Sequence, residues 1–219
     1  MKAILEELKR HAPFTALGAA AGILFFFFFQ GLDEDTEYRL FYVLHPLHVF
    51  WSALVTASIY RIYQMKAGKA PKWWQVLLVG YIGSVGVCTI SDSIIPFVGE
   101  NVLERFYPQS HGSQEYMHVH AGLHLGFIEE WHIINPLVIF GILWALFKPI
   151  TKAPHALHVF LSTWASLFHL MMAVEGSITA IAYAVIFLTL FLAVWIPCCF
   201  SDIVFPLLFI RDKKKCLNH

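Results

Sequence analysis

Residues 45–52 read His-Pro-Leu-His-Val-Phe-Trp-Ser, and residues 155–162 read His-Ala-Leu-His-Val-Phe-Leu-Ser. Six of the eight positions are identical, and the two stretches lie 110 residues apart in a chain of 219. A second pair has the same offset, because Cys88-x-x-Ser91-Asp92-x-x-x-Pro96 returns as Cys198-x-x-Ser201-Asp202-x-x-x-Pro206. Two matches at one offset, both of which keep the polar residues, indicate an internal duplication.

The composition indicates a chain that lies in a lipid bilayer. Hydrophobic residues make up 58% of the sequence and charged residues only 14%, whereas a soluble domain has about 25% charged residues. Apolar runs of about 20 residues, the length that crosses a ~30 Å hydrocarbon core, recur along the whole chain. We therefore expect an all-α integral membrane protein whose partner is the bilayer. No nucleic-acid-binding domain is indicated.

Apolar runs separated by turn residues predict six transmembrane helices. Their expected ranges are 14–29, 40–63, 73–98, 118–147, 155–174 and 178–210. Pro96 lies near the end of the third range, and Pro197 and Pro206 lie in the sixth, so these two helices are predicted to be broken. We expect one membrane domain, with repeat 1 at about 11–98, an outer connecting segment at about 99–117, repeat 2 at about 118–210 and a cytoplasmic basic tail at 211–219.

The charge distribution predicts the orientation of these helices. Thirteen of the 15 Lys and Arg residues lie in the segments 2–10, 61–72, 148–152 and 211–215, whereas acidic residues cluster at 33–37 and 100–115. The positive-inside rule then places both termini in the cytoplasm. Because each copy contains three helices, the second copy enters the membrane from the opposite side. The prediction is a 3+3 inverted-topology repeat, an arrangement typical of transporters.

The duplicated motif contains residues that bind transition metals. Residues three apart share a helix face, so His45 and His48 can converge on one ion, as can His155 and His158. Two imidazoles and a carboxylate suit zinc, iron(II) or manganese. Since the second copy is inverted, we expect one histidine cluster in the outer half of the bilayer and one in the inner half. The alternative is that the histidines only form hydrogen bonds between helices.

Asp92 and Asp202 are the predicted carboxylate ligands in the two halves. An ionisable residue within a span costs about 2.5–3.5 kcal/mol on insertion scales and usually faces protein or water. A second interpretation is that these aspartates only cap helices, because Ser-Asp followed by Pro is typical of an opening helical turn.

The fourth predicted helix carries a further group of candidate ligands. His120 and His124 are four residues apart and share a face, as do Glu129 and His132. The adjacent Glu130 adds a second carboxylate to an otherwise apolar helix, which packing does not explain. The predicted metal ligands are therefore His45, His48, Asp92, His155, His158, Asp202, His120, His124, Glu129, Glu130 and His132.

Four other residues have a weaker pattern. His169 and Glu175 lie near the outer end of the fifth helix and are candidates to join the group on the fourth. Cys88 and Cys198 fall inside apolar spans, where a thiol behaves as a small core side chain. Their alternative role is that of a soft metal ligand.

Three functions are consistent with these patterns. The first is a carrier or channel for a divalent transition-metal ion (Zn, Fe or Mn), which titration of the ligands could couple to protons. The alternative is a membrane metalloenzyme, a lipid hydrolase or oxidase in which both histidine sets hold metal and activate water. The third is a b-type haem protein with axial histidines His48, His158 or His169; the opposite depths expected for His48 and His158 disfavour that pair. The direction of transport and homo-oligomerisation stay open.

Overall fold

The computed structural model describes residues 2–29, 31–106, 118–119, 122–175 and 178–209. These residues are helical apart from connecting turns and one short ladder. The helices are α1 Lys2–Phe28, α2 Glu34–Lys66, α3 Trp73–Thr89, α4 Ile95–Phe106, α5 Gly126–Glu129, α6 Trp131–Phe147, α7 Lys152–Ala173, α8 Ala180–Cys199 and α9 Phe205–Leu208. Two π-helical segments, π1 Ile90–Ile94 and π2 Phe200–Val204, join α3 to α4 and α8 to α9. Strands β1 His118–Val119 and β2 Val174–Glu175 pair antiparallel.

Five of the helical segments are long and apolar enough to cross a membrane. They are His11–Phe28, Glu34–Lys66, Trp73–Phe106, Ala153–Ala173 and Ala180–Cys198, and the apolar α6 is shorter, with 17 residues. The prediction of an all-helical protein with several membrane-length apolar helices is confirmed. The six-helix count and the inverted repeat stay predictions.

Helices α2 and α7 form the centre of the bundle and run antiparallel. The ring of Phe41 packs on that of His169, and further along α2 the ring of His48 packs on that of His158. Two apolar cores flank this pair. One joins α7 to α1 and α8 around Leu167, and the other joins α2 to α3 and α6 around Leu54.

Helix α2 is longer than its predicted range of 40–63. It begins at Glu34 because the side chain of Asp33 caps it, with Oδ2 accepting a hydrogen bond from the backbone N of Thr36 at 2.9 Å. Such caps satisfy one of the amide groups that have no partner within a helix. Acidic residues in the first turn add to the stabilisation, since they oppose the helix dipole.

The predicted breaks of the third and sixth helices are wrong, because each helix continues through a π-helical segment. Pro96 has no N–H, so the carbonyl of Asp92, four residues earlier, lacks its α-helical donor. The chain stays helical by shifting to i→i−5 bonds, as shown by the backbone N of Ile95, which donates to Ile90 O. Asp92 therefore lies inside a continuous helix and does not cap a new one. Segments of this kind are frequent at functional sites.

The fourth helix also differs from the prediction. Residues 122–125 are not helical, α5 is a single turn and α6 begins only at Trp131, so a continuous helix from 118 is wrong. The start of α5 packs closely on α2, because a Cβ on Gly126 would lie 2.4 Å from Cδ2 of His45. Helix α4 extends to Phe106, which shortens the predicted outer connection, and residues 107–117 lie outside the described ranges.

Candidate metal centre

The carboxylate of Asp92 organises the buried centre of the bundle. Its Oδ2 accepts hydrogen bonds from Nδ1 of His45 at 2.9 Å and from Nδ1 of His48 at 2.6 Å. Its Oδ1 accepts hydrogen bonds from the hydroxyls of Ser91 at 2.6 Å and Ser162 at 3.3 Å. All five residues are buried. Four donors match the capacity of an ionised carboxylate, which is an acceptor only.

The contact with Asp92 fixes how His48 presents its second nitrogen. Because Nδ1 donates its proton to the carboxylate, Nε2 is the ring nitrogen left for other partners, and it faces the thiol of Cys88, whose Sγ is 3.5 Å away. Metal-binding histidines commonly donate their other N–H to a carboxylate in this way, which sets the tautomer and raises the basicity of the ligand nitrogen. Asp92 is therefore placed to orient ligands.

His48 belongs to a group of three side chains that can each supply a metal ligand. Ligand atoms of His48, His158 and Cys198 all lie within 4.8 Å of one another, and the three residues are at most 4% exposed. No other group of three or more such donors is this compact among the residues that the structure describes. Imidazole with thiolate is a ligand set that suits zinc.

The centre contains residues of both copies, and this corrects one prediction. The rings of His48 and His158 stack with centroids 5.6 Å apart and planes at 14°. The predicted separation of the two histidine clusters by depth is therefore wrong. Helix α2 extends beyond the start of α7, where Ser58 Oγ accepts the N–H of Ile150 at 3.2 Å. From that level, His48 lies ten residues back along α2, a rise of about 15 Å, and His158 lies eight residues further along the chain, a rise of about 12 Å. The two histidines therefore reach similar depths.

Contacts around the two π segments repeat at the offset of the sequence duplication. In one, Ser166 Oγ of α7 donates to Ser91 O of π1 at 3.0 Å. In the other, Thr56 Oγ1 of α2 lies 2.9 Å from Ser201 Oγ of π2. Thr56 and Ser166 are 110 positions apart, and so are Ser91 and Ser201. The central helix of each copy thus contacts the π segment of the other.

His169 connects the centre to the end of the bundle where α2 begins. Its Nδ1 donates to the carbonyl of Asp92 at 2.7 Å, the same carbonyl that Pro96 leaves without a donor, and its Nε2 lies 3.0 Å from the carbonyl oxygen of Gly122. Oε1 of Glu100, a fully buried residue, lies 3.4 Å from Nε2 of His169. The other oxygen of Glu100 accepts the N–H of Gly122 at 3.1 Å. His169 therefore joins π1, α4 and the segment before α5.

The predicted ligands of the fourth helix do not form one group. The ring of His124 lies 5.4 Å from that of His169, and its Nδ1 is 3.6 Å from Glu129 Oε2. Glu129 also accepts hydrogen bonds from the hydroxyl of Tyr42 and from the N–H of Leu125. Burial lowers the pKa of His124 from its ordinary value. His120 lies outside the described residues, as do the side chains of Glu175 and Asp202; the backbone of Asp202 lies in π2.

The remaining predicted ligands lie outside the compact donor group. Glu130 and His132 approach each other at 3.5 Å on the surface, where His132 is 60% exposed. Nε2 of His155 lies 2.9 Å from Nε2 of His11 at the opposite end of the bundle, and the His155 ring contacts that of His158 with centroids 5.3 Å apart. Titratable side chains therefore follow one another from His11 at one end to Glu129 at the other.

Cys88 and Cys198 were predicted mainly as core side chains, and Glu100 and Ser162 were not predicted as site residues. The signal for three of these four was present, since Cys88 and Cys198 belong to the duplicated Cys-x-x-Ser-Asp motif and Ser162 closes the duplicated histidine stretch. Glu100 carried no such signal, because an acidic residue just beyond a predicted span reads as part of a solvated loop.

No protein-family model, curated protein or solved structure matches the chain. A function for it therefore rests on the geometry of this centre.

Proposed function

We propose that the protein is a membrane carrier or channel for a divalent transition-metal ion, which binds between the two copies at His48, His158 and Cys198. The observation that carries this proposal is the compactness of these buried donor atoms, all within 4.8 Å of one another. Each copy contributes at least one ligand, which is the arrangement expected of a site shared by two repeats.

The ligand set favours zinc among the three candidate ions. Thiolate and imidazole are preferred zinc ligands, whereas manganese prefers oxygen-rich sites. The ligand nitrogen of His48 is Nε2, and Cys88 Sγ lies 3.5 Å from it but outside the compact donor group. Asp92 and His45, predicted as ligands from sequence, take a different role in this proposal. Asp92 orients His48, and Nε2 of His45 points towards Gly126.

The polar side chains on either side of the centre support transport over a purely structural metal. His155 and His11 continue from His158 to one end, and His169, Glu100 and His124 continue from Asp92 to the other. Ionisable residues inside a span are costly and usually mark an ion or proton pathway. Metal binding to thiols and imidazoles releases protons, so coupling of metal movement to protons is part of the proposal.

The order of the helices supports a 3+3 inverted repeat with cytoplasmic termini. The helical segments α1, α2, α3–α4, α6, α7 and α8–α9 alternate in direction between two ends of the bundle. Arg61 of α2 donates hydrogen bonds to the carbonyls of Ala145 and Leu146 of α6, so the basic segments that contain Arg61 and Lys148 lie at one end. The positive-inside rule makes that end cytoplasmic.

The test is metal content followed by flux. Purified protein should contain about one zinc per chain by elemental analysis, and the variants His48→Ala and His158→Ala should lose it. His132→Ala, which removes an exposed histidine away from the centre, is the matched control and should keep it. In liposomes, the native protein should move zinc down its gradient and the two centre variants should not. Native protein that holds no metal after zinc loading and washing would overturn the proposal.

A lipid-directed metalloenzyme is the second candidate, and one observation favours it. A groove open to the lipid side ends at His155, whose ring contacts that of His158. Bound metal with no flux, together with release of fatty acid from added phospholipid, would support this alternative.

The geometry does not favour haem. Stacked rings with centroids 5.6 Å apart leave no room for a porphyrin between His48 and His158, and each ring nitrogen of His169 lies within 3.0 Å of a backbone carbonyl oxygen.

A further inference from the structure

A groove of about 430 Å³ runs along the outside of the bundle between α1 and α7. Apolar side chains form most of its wall, among them Phe14 and Trp164. The polar groups at one end are the imidazoles of His11 and His155. The hydroxyls of Thr15 and Thr163 also line the groove, and each donates to a backbone carbonyl of its own helix. A mostly apolar channel with imidazoles at one end has the same polarity as a phospholipid.

The length and depth of the groove match one leaflet of a bilayer. The apolar span of α1 begins at His11, which places the histidine end at the membrane interface. The groove extends along α1 from His11 to Ala21. Ten residues of helix rise about 15 Å, and half of a ~30 Å hydrocarbon core is also about 15 Å. An acyl chain that starts at the interface would therefore end near Ala21.

The charge around the histidine end suits an anionic headgroup. Nε2 of His11 and Nε2 of His155 lie 2.9 Å apart, and both side chains line the groove. The exposed Lys9 precedes His11 on the same helix. The basic segment around Lys148 directly precedes α7 and so lies at the same end. A phosphate at this position would receive hydrogen bonds from imidazole N–H groups in a region of positive charge.

We propose that this groove binds one anionic phospholipid of the leaflet at the basic end. Its phosphate contacts His11 and His155, and one acyl chain lies between α1 and α7. The proposal goes beyond the proposed function, because lipid binding here needs no metal at the centre. A bound lipid would lie one side chain away from the centre, since the rings of His155 and His158 are in contact.

The test is native mass spectrometry of the purified chain with phosphatidylglycerol or phosphatidylcholine of identical acyl chains. We expect phosphatidylglycerol to bind about tenfold or more tightly, because its headgroup carries a net negative charge to the basic end, whereas the choline cation of phosphatidylcholine cancels that of its phosphate. The double variant His11→Ala, His155→Ala should remove this preference. Gly18→Trp should reduce binding of both lipids, because Gly18 lines the groove and a bulky side chain would fill it.

A second groove supplies the matched control. It has about 490 Å³, lies on α6, and is lined by Leu143 and by the exposed His132. The variants Leu143→Trp and His132→Ala should leave both affinities unchanged. Equal binding of the two lipids to the native chain, or equal losses in the control variants, would overturn the proposal. Zinc content measured on the same samples keeps this outcome separate from failure of the metal site, and it also reports whether Gly18→Trp is folded.

Discussion

Oδ2 of Asp92 accepts a hydrogen bond from Nδ1 of His48 at 2.6 Å, and both side chains are almost completely buried. The bond uses Nδ1 of His48 and leaves Nε2 for the potential metal ligands around it. The same carboxylate bonds Ser162 of the second copy, so a single side chain ties the two halves together at the proposed ion site.

Asp92→Asn should weaken zinc binding while leaving the ligands in place. The amide keeps the shape of the carboxylate but loses the charge that polarises His48, and changes of this kind typically cost 10–100-fold in metal affinity. A competition titration against a chromogenic chelator measures the effect. Glu130→Gln, on the surface beside His132, is the control for loss of one carboxylate. Equal affinities of the native chain and Asp92→Asn would show that the carboxylate does not tune the site.

The two cysteines should differ in their contribution to the ion site. Cobalt(II) bound to a thiolate has a characteristic charge-transfer absorption, so it reports directly on sulfur ligation. Cys198→Ser should remove or strongly reduce this absorption, because Cys198 belongs to the compact donor group. Cys88→Ser should retain most of it, since that thiol lies beside His48 Nε2 but outside the group. The reverse ranking of the two variants would assign the sulfur ligand to Cys88.

The sequence predicted which residues lie at the centre better than it predicted their arrangement. Duplicated stretches marked His48, His158 and Asp92, because an exact offset between polar residues in an apolar chain is visible without coordinates. Their depth was mispredicted, since it depends on how far α2 extends past the start of α7, and α2 is nine residues longer at its two ends than the apolar pattern indicates. Helix length at charged ends is set by caps such as Asp33, which hydropathy does not register.

The π segment and the late start of the fourth helix could not be predicted from sequence for a different reason. Pro96 signals a disturbed helix, but whether the chain breaks or shifts its hydrogen bonds depends on a tertiary partner. Here the freed carbonyl of Asp92 is bonded by His169, a residue 77 positions away. The start of α5 likewise lies against the ring of His45, through Gly126. Interactions between distant residues decided both points.

Pro96→Ala should make the helix more regular and the metal site worse. The new N–H can donate to the carbonyl of Asp92, which favours an α-helical register and competes with His169 for the same acceptor. The side chain of Asp92 would then rotate away from the histidines. We expect lower zinc affinity with an unchanged or higher melting temperature. Pro136→Ala, at an exposed position inside α6, is the control and should leave zinc affinity as it is. A variant with native zinc affinity would contradict the role given to π1.

Gly126→Ala should destabilise the protein through a single contact. The new Cβ would lie 2.4 Å from Cδ2 and 2.6 Å from Nε2 of His45, so the ring or the segment must move. Overpacking of this kind typically costs about 1–3 kcal/mol. In a His45→Ala background the same substitution has room, so the two changes should be strongly non-additive in thermal or denaturant unfolding.

Gly86→Ala provides the matched control for that cycle. A Cβ at Gly86 meets nothing within 4 Å, and the residue lies inside α3, where alanine is preferred over glycine by about 0.5–1 kcal/mol. It should therefore be neutral or slightly stabilising in both backgrounds. Additive effects of Gly126→Ala and His45→Ala would show that the segment before α6 does not pack on His45.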